Sequence, residues 1–428
     1  MTEEDRCCPE ALRSMAAVCL NAGLFKQSKS LLLESLAMDP KDSQARFHLG
    51  CACQALGEVN EAIEAFQESL RRSPGQASAH FRLGVVYREL GRFEEASKCY
   101  KRALRLDPKH DKARFDLALI DLLHGNTKRG FQGYEYRWDE KIGSLITRSA
   151  APLWLGGKAI DKRTLLLHEE QGFGDTLQFV RYLPCVAELG ASVMLKVQPE
   201  LRELMKTSFP SIPVVSSWEE VPAHDFQCTL PSLPLACQPW LKEHIPNQVP
   251  YLKADARKVR RWQKRLGADK RLRVGIVWAG NPLLIINARR SIRLGDFRDI
   301  IDHVPCRFIR LQKDITPEDR LELNSSGMME EFEDAFEDFS ETAALVENLD
   351  LVISVDTCAT HLAGSLGRPF WVLVPHVPDW RWGLGREDSD WYPTARIFRQ
   401  EQAGDWPGLL SRVGAELSHL ANQARDRK

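Results

Sequence analysis

The sequence predicts an α-helical repeat region followed by an α/β region that contains two parallel sheets. Three observations favour this α plus α/β organisation: an internal period of 34 residues in the first third, short β-branched runs after residue 150, and a charged stretch, Lys253–Arg273, between two groups of such runs. A chain of 428 residues is too long for one ordinary core, so we expect two or three domains.

The repeat region is marked by residue types that recur at intervals of 34. The recurring prolines are Pro40, Pro74 and Pro108, and the recurring glycines are Gly23, Gly57, Gly91 and Gly125. A column of small residues consists of Gly50, Gly84 and Ala118. This spacing predicts paired helices, in which each glycine separates the first helix from the second and each proline follows the second. The small residues let the paired helices pack closely.

These columns resemble the tetratricopeptide repeat, with units at residues 9–42, 43–76 and 77–110 and a shortened unit at 111–138. The resemblance implies an N-terminal helical solenoid over residues 1–145 that holds a protein or peptide in its groove. It leaves open an intramolecular scaffold or a dimer, because such repeats also serve those roles. One basic column, Arg46, His80 and Arg114, either lines the groove or belongs to a solvated face.

The region after the repeats alternates strand-like runs with amphipathic stretches, which predicts doubly wound parallel sheets. We expect eight strands, at Thr164–His168, Ser192–Val197, Pro213–Val215, Phe226–Thr229, Val274–Trp278, Phe308–Leu311, Leu351–Ser354 and Trp371–Val374. They predict two Rossmann-like lobes, at residues 150–255 and 256–428. Lys253–Arg273 has the spacing of a solvated linker helix rather than of a nucleic-acid patch. Trp406–Asn422 is expected to form a C-terminal helix that packs back across the lobes.

Composition narrows the classes of partner. The net charge of -1 gives no overall attraction to nucleic acid or anionic lipid, and no apolar run reaches the roughly 18 residues of a membrane span. The acidic N-terminus lacks an apolar signal segment, which predicts a cytoplasmic protein. The 11 cysteines lack paired metal-ligand spacing, so we expect neither a disulfide framework nor a metal site.

Two loops after predicted strands are candidates for binding, because ligands of parallel sheets lie at the carboxyl ends of the strands. The first loop contains Gly172, Gly174 and Asp175, and its carboxylate either acts chemically or caps the next helix. The second contains Asp356 and Thr357, where a strand leads into a helix. The N-terminal amides of that helix suit a diphosphate.

His361 lies four residues after Thr357, so both side chains share one helix face. A lone histidine is usually structural, but this position at the start of a helix after a strand favours a role in binding.

Several motifs together carry a family resemblance. They are Gly172–Asp175, Val277–Pro282, Asp356-Thr357 with His361, Pro378–Trp382 and Trp391–Pro393. In this order, and fused to the repeats, they resemble bacterial glycosyltransferases linked to tetratricopeptide repeats. That group is similar to the ADP-heptose heptosyltransferases and, more distantly, to the O-linked N-acetylglucosamine transferases.

The resemblance implies a GT-B fold that needs no metal and no cofactor. The first lobe would bind the acceptor, and the second lobe would bind a nucleotide sugar as co-substrate. Asp175 matches the general base. Positions that would contact the donor are Gly172, Gly174, Asn281, Arg290, Gln312, Lys313, Asp356, Thr357 and His361. The cations among them would neutralise the leaving diphosphate in place of a metal.

One loop departs from the family pattern. Relatives have a polar run between Asn281-Pro282 and Arg290-Ser291-Ile292, whereas this chain has the apolar residues 284–286 followed by Asn287 and Ala288. The loss of polar groups beside a diphosphate predicts a changed donor, weak activity or none. The alternative to an enzyme is therefore a scaffold whose repeats recruit partners.

Overall fold

The computed structural model describes residues 8–138, 148–241, 244–281, 287–326 and 329–426. The chain forms two compact units, residues 1–137 and 138–428. None of the helices in the described part of the chain is both long and apolar enough to cross a bilayer.

The first unit consists of four helix pairs. Its helices are α1 (Pro9–Asn21), α2 (Phe25–Met38), α3 (Ser43–Leu56), α4 (Val59–Arg72), α5 (Ala77–Glu89), α6 (Phe93–Leu106), α7 (Asp111–Leu123) and α8 (Thr127–Tyr134), followed by the 3-10 turn Glu135–Arg137. The turn within each pair contains a glycine with φ between 73° and 80°. This backbone region favours glycine, which explains why the glycine recurs at every 34th residue.

The column of small residues allows the paired helices to approach closely. A Cβ atom on Gly50 would lie 2.6 Å from Cε1 of Phe66, and one on Gly84 would lie 2.6 Å from Cε1 of Tyr100. Both rings are fully buried. The sequence therefore identifies correctly the positions where the second helix rests on the backbone of the first.

The basic column has a structural role in the turns between repeats. The ring Nε2 of His80 hydrogen-bonds the carbonyl oxygen of Pro74 at 3.1 Å, and Arg114 donates to the carbonyl oxygen of Pro108. Arg46 occupies the same column and is half-buried. His80 and Arg114 thus tie the first helix of a repeat to the proline turn that precedes it.

The second unit contains two parallel sheets, which confirms the predicted α/β organisation. The first sheet has the order β3-β2-β1-β4, with β1 (Thr164–His168), β2 (Ser192–Lys196), β3 (Val214–Val215) and β4 (Phe226–Thr229). The second has the order β6-β5-β7-β8-β9, with β5 (Arg273–Val277), β6 (Arg307–Arg310), β7 (Leu351–Val355), β8 (Phe370–Val374) and β9 (Ala395–Arg399). We refer to the two sheets with their helices as the first and second lobes.

Helices cover both sheets. Those of the first lobe are Phe173–Phe179, Leu183–Glu188, Arg202–Ser208, Leu233–Ala236 and Gln238–Leu241. Those of the second lobe are Ala256–Leu266, Asn287–Arg290, Arg298–His303, Pro317–Ser326, Phe339–Val346, Cys358–Ser365 and Trp406–Asp426. The register Val274↔Leu351 and Val352↔Phe370 brings the ends of β5, β7 and β8 to one edge of the second sheet.

The charged stretch forms the predicted helix, but one face of this helix is packed rather than solvated. It forms the helix Ala256–Leu266, whose Trp262 side chain is buried and donates from Nε1 to the Glu341 carboxylate at 3.0 Å. Lys258 and Arg261 form ion pairs with the same carboxylate. The helix therefore packs on the second lobe, and several of its cations are neutralised there.

The C-terminal helix packs within one lobe. Its buried residues are Leu409, Leu410, Val413, Leu417 and Ala421, and all five belong to the core of the second lobe. This differs from the expected packing across both lobes. The ninth strand, β9, was not predicted, because only Ile397 and Phe398 interrupt a polar segment at the edge of the sheet.

We predict that Gly84→Val lowers the unfolding free energy of the solenoid. The added side chain would overlap the buried Tyr100 ring, and overpacking of this kind costs roughly 1–3 kcal/mol. The control is Ala37→Val, which enlarges a side chain at an exposed helical site on α2. Urea unfolding monitored by circular dichroism measures both. Equal stability of the two variants would contradict this role of Gly84.

Candidate functional site

The two loops singled out in the sequence meet in the second unit. The helix Phe173–Phe179, which follows β1, packs against the helix Cys358–Ser365, which follows β7. A Cβ atom on Gly174 would lie 2.9 Å from Cδ2 of His361. Gly174 is therefore needed for this close approach. Gly172 is exposed and precedes the first residue of the first helix.

Asp175 forms an ion pair with Arg381, which follows β8 in the second lobe. Arg381 also donates to the side-chain oxygen of Gln178 at 2.5 Å and to the carboxylate of Asp379 at 2.9 Å. Burial raises the pKa of Asp175, and the positive charge of Arg381 opposes this rise. The result is a partly buried carboxylate whose charge depends on one arginine from the opposite lobe.

Asp356 lies at the carboxyl end of β7, among the same charges. Burial, followed by the charge of Asp379, raises the pKa of Asp356 to about 6, although Arg290 and Arg381 act in the opposite direction. The carboxylates from two lobes thus share cations. Asp379 contributes to this arrangement by raising the pKa of both Asp175 and Asp356.

His361 is buried and neutral at this junction. Its Nδ1 hydrogen-bonds the Tyr392 hydroxyl at 2.8 Å, and its ring stacks on Trp382 with the centroids 5.9 Å apart. Burial, together with the charges of Arg381, Arg181 and Arg290, lowers the pKa of His361 well below its ordinary value. The ring therefore offers a neutral imidazole rather than a cation.

Thr357 caps the helix Cys358–Ser365. Its Oγ1 accepts from the backbone N–H of Ala359 at 3.3 Å and lies 3.0 Å from the Ser354 hydroxyl. The next residue, Cys358, has a thiol pKa that burial raises to about 11. Cys358 is therefore a protonated thiol at neutral pH.

The remaining predicted donor contacts follow β5 and β6. A Cβ atom on Gly280 would lie 2.5 Å from Nη2 of Arg290, so the guanidinium passes directly over this glycine. Gln312 is buried, and its side-chain oxygen accepts from the Ala279 backbone N–H at 3.0 Å. Lys313 and Asn281 are exposed.

Asp175 and Asp356 thus share the charges of Arg381 and Asp379, Arg290 acts on Asp356 and His361, and His361 contacts the residue before Asp175. Gln312 fixes the loop after β5. The apolar departure at residues 284–286 lies outside the described residues, whereas Asn287 and Ala288 begin the short helix Asn287–Arg290.

A buried arginine of the first lobe, Arg181, contacts the second lobe beside this site. Arg181 donates to the carbonyl oxygens of Gln178 and Trp391 at 2.8 and 2.6 Å and to the Tyr251 hydroxyl at 2.9 Å. Its guanidinium lies over the rings of Tyr251 and Tyr392, at 4.7 and 4.5 Å from the centroids. These contacts satisfy the charge of a side chain that is buried.

Sequence reasoning did not assign roles to Arg181, Asp379, Arg381, Trp382 and Tyr392. The last four belong to motifs that carry the family resemblance, so a signal was present for them. Arg181 has no comparable signal, because it lies in the apolar segment Phe179–Leu183 and looks like a surface residue between buried ones.

Within the described residues, one group of possible metal ligands consists of Cys53, Glu58 and Glu61 in the first unit. The ammonium group of Lys29 forms ion pairs with both glutamates, at 2.7 Å for Glu58. A cation from the chain therefore already neutralises these carboxylates.

Comparisons with known proteins support the repeats. Tetratricopeptide-repeat profiles match residues 20–77 and 77–110, which confirms that the chain carries such repeats. Protein FlbA of Caulobacter vibrioides is 26% identical over 335 residues, a match that covers 71% of this chain and 54% of FlbA. The chain therefore spans about half the length of this curated relative.

Solved structures match about a third of the chain. MamA from Desulfovibrio magneticus is 19% identical, covers 33% of this chain and 78% of its own, and has a TM-score of 0.27. YrrB, described as a TPR protein with an unusual peptide-binding site, is 18% identical, covers 31% of this chain and 69% of its own, and has a TM-score of 0.29.

We predict that Arg181→Leu lowers the unfolding free energy of the second unit by roughly 2–4 kcal/mol, because several buried acceptors lose a charged donor. Arg181→Lys restores only part of this, since an ammonium lacks the planar fork of donors. The control is Arg202→Leu, which breaks the partly exposed pair with Glu220 and costs about 1 kcal/mol or less. Chemical unfolding compares the three. Similar losses for Arg181→Leu and Arg202→Leu would refute the buried role.

We predict a pH-dependent stability difference between the natural chain and Asp356→Asn. Because the folded pKa of Asp356, about 6, exceeds its ordinary value of 3.8, the folded state favours the protonated carboxyl. The natural chain therefore loses stability relative to the uncharged variant as pH rises from about 4 through 6. Urea unfolding at matched pH values tests this. Parallel stability curves for the two proteins would show that Asp356 does not carry the effect.

Proposed function

We propose that this chain is a metal-independent glycosyltransferase of the GT-B type, which moves a sugar from a nucleotide sugar to a protein or glycan-precursor hydroxyl. The observation that carries the proposal is the meeting of the two loops. Asp175 from the first lobe lies beside the second-lobe charges Arg381 and Asp379, which also act on Asp356 at the end of β7.

The proposed step uses Asp175 as the general base. Its carboxylate accepts the proton of the acceptor hydroxyl while that oxygen forms a bond to the anomeric carbon. The bond from the anomeric carbon to the phosphate oxygen breaks, and its electron pair leaves with the diphosphate. Burial raises the pKa of Asp175, which makes the carboxylate a stronger base, and Arg381 favours its ionised form.

The leaving diphosphate requires positive charge. The helix Cys358–Ser365 begins at the end of β7, and its first amides carry the partial positive charge of a helix N-terminus. Arg290, which lies near Asp356 and His361, and the exposed Lys313 supply full charges. In this proposal they replace a metal ion.

The repeats supply the second half of the proposal. Tetratricopeptide repeats bind peptides or proteins, so we assign them the recruitment of the acceptor. We place the reaction in the cytoplasm.

A scaffold without catalysis is the second candidate. It is favoured by the ion pair between Asp175 and Arg381, which engages one oxygen of the proposed base. It is also favoured by the direct packing of Gly174 on His361, which brings the two loops into contact. In that case the lobes hold a fixed arrangement and the repeats recruit partners.

The donor site is tested by a panel of nucleoside diphosphates and nucleotide sugars in thermal-shift and sugar-hydrolysis assays. We expect at least one nucleotide sugar to raise the melting temperature. In the Arg290→Gln variant, the same rise should require about tenfold more ligand. The control, Arg260→Gln, removes an exposed cation from the helix Ala256–Leu266. No shift with any nucleotide would favour the scaffold.

The base is tested by Asp175→Asn with the donor found in that panel. We expect transfer to fall by roughly 10²–10⁴ while donor affinity is retained, because the amide keeps the shape and loses the basic oxygen. Asp302→Asn, at an exposed carboxylate of the second lobe, is the control and should leave transfer unchanged. Near-normal transfer by Asp175→Asn would exclude Asp175 as the base.

A further inference from the structure

The first helix of the solenoid exposes an apolar stripe. Ala11, Met15 and Val18 are spaced as i, i+4 and i+7 on α1, so they lie along one face of the helix. The Val18 side chain is 68% exposed and that of Met15 is 37% exposed. Large apolar side chains at adjacent positions of one helix face mark an interaction surface.

The register of the repeats shows what covers this stripe elsewhere. Residues 34, 68 and 102 positions after Val18 are Ala52, Val86 and Ile120, and all are at most 5% exposed. The residues in the Ala11 column are fully buried; they are Ala45, Ala79 and Ala113. In these repeats the first helix packs against the second helix of the preceding repeat, as α3 does on α2, α5 on α4 and α7 on α6.

Exposure alone does not distinguish this stripe, but its column does. Leu33 on α2 is 51% exposed, yet its equivalents Gln67 and Lys101 are exposed polar residues. Leu33 therefore occupies a column that faces water throughout the solenoid. Val18 occupies a column that is covered by a helix in each of the three following repeats.

We propose that the stripe on α1 binds the same stripe of a second copy of this chain, in an antiparallel helix pair around a two-fold axis. Together with the neighbouring Ser14 and Ala22 on the same face, the stripe of Ala11, Met15 and Val18 contains no charged residue. Two copies therefore meet without like charges facing each other, whereas nothing on the stripe selects a charged partner.

The order of side-chain sizes is self-complementary. An axis that passes between Met15 and Val18 places Met15 of one copy against Val18 of the other, and Ala11 against Ala22. The small residues at both ends let the helices approach, and the large residues fill the centre. The same pairing brings the exposed Glu10 carboxylate toward the start of α2 in the second copy, where Lys26 is exposed.

Sedimentation velocity of the full chain tests the proposal at about 1–200 μM, because a single helix pair buries less area than a standard interface and is expected to bind in the micromolar range. We expect the natural chain to change from monomer to dimer over this range. Val18→Glu should weaken the dimer at least tenfold. Leu33→Glu, an apolar-to-acidic change at another exposed site, on α2, should leave dimerisation unchanged.

Two variants with opposite charges distinguish loss of the interface from loss of folding, because misfolded variants could not recover dimers when mixed. Val18→Glu and Val18→Lys should each remain monomeric, and an equimolar mixture should recover dimers, since the axis brings the two positions close together. The proposal is overturned if the natural chain stays monomeric up to the highest concentration. It is also overturned if Val18→Glu dimerises like the natural chain, or if the mixture stays monomeric. These outcomes do not depend on donor binding or transfer, so the proposed function stands or fails separately.

Discussion

The arrangement of the second unit depends on the burial of one guanidinium. Arg181 is 3% exposed, and a buried cation is tolerated only when its donors are bonded and its charge is compensated. Its partners come from the helix Phe173–Phe179 and from the segment that carries Trp391 and Tyr392. Because these partners belong to different lobes, satisfying one side chain fixes how the two lobes meet.

The position of His361 follows from that constraint. Tyr392, held beneath Arg181, hydrogen-bonds His361 and lies so close to Gly364 that a Cβ there would be 2.3 Å from its Cδ1. His361 in turn packs against Gly174, one residue before Asp175. The carboxylate proposed as the base is therefore positioned through a continuous series of contacts that begins at a residue outside the catalytic motifs.

Charge at the candidate site is balanced by neighbours rather than by solvent. Asp379 raises the pKa of both Asp175 and Asp356, whereas Arg381 lowers both. Burial, together with the charges of Arg381, Arg181 and Arg290, lowers the pKa of His361 and keeps the ring neutral. An anionic ligand would add charge to a site in which these groups already interact, so its binding is expected to change the protonation of several residues together.

The sequence by itself determined the solenoid and most of the strands, because both depend on local periodicity. A glycine at positive φ and a small residue beneath an aromatic ring leave a mark at every 34th position, and buried parallel strands leave apolar runs. It also selected Asp175, Asp356 and His361, since residues after strands lie at the sheet edge.

Only the tertiary structure decided which charges act on these residues. The pair of Asp175 with Arg381 joins positions 206 residues apart, and Arg181 meets Trp391 across 210 residues. The sequence around Trp262 predicts a solvated helix, whereas in the structure Trp262 and Arg261 both contact the Glu341 carboxylate. Such contacts are not encoded in any local pattern, because burial and charge compensation depend on the separate segments that packing brings together.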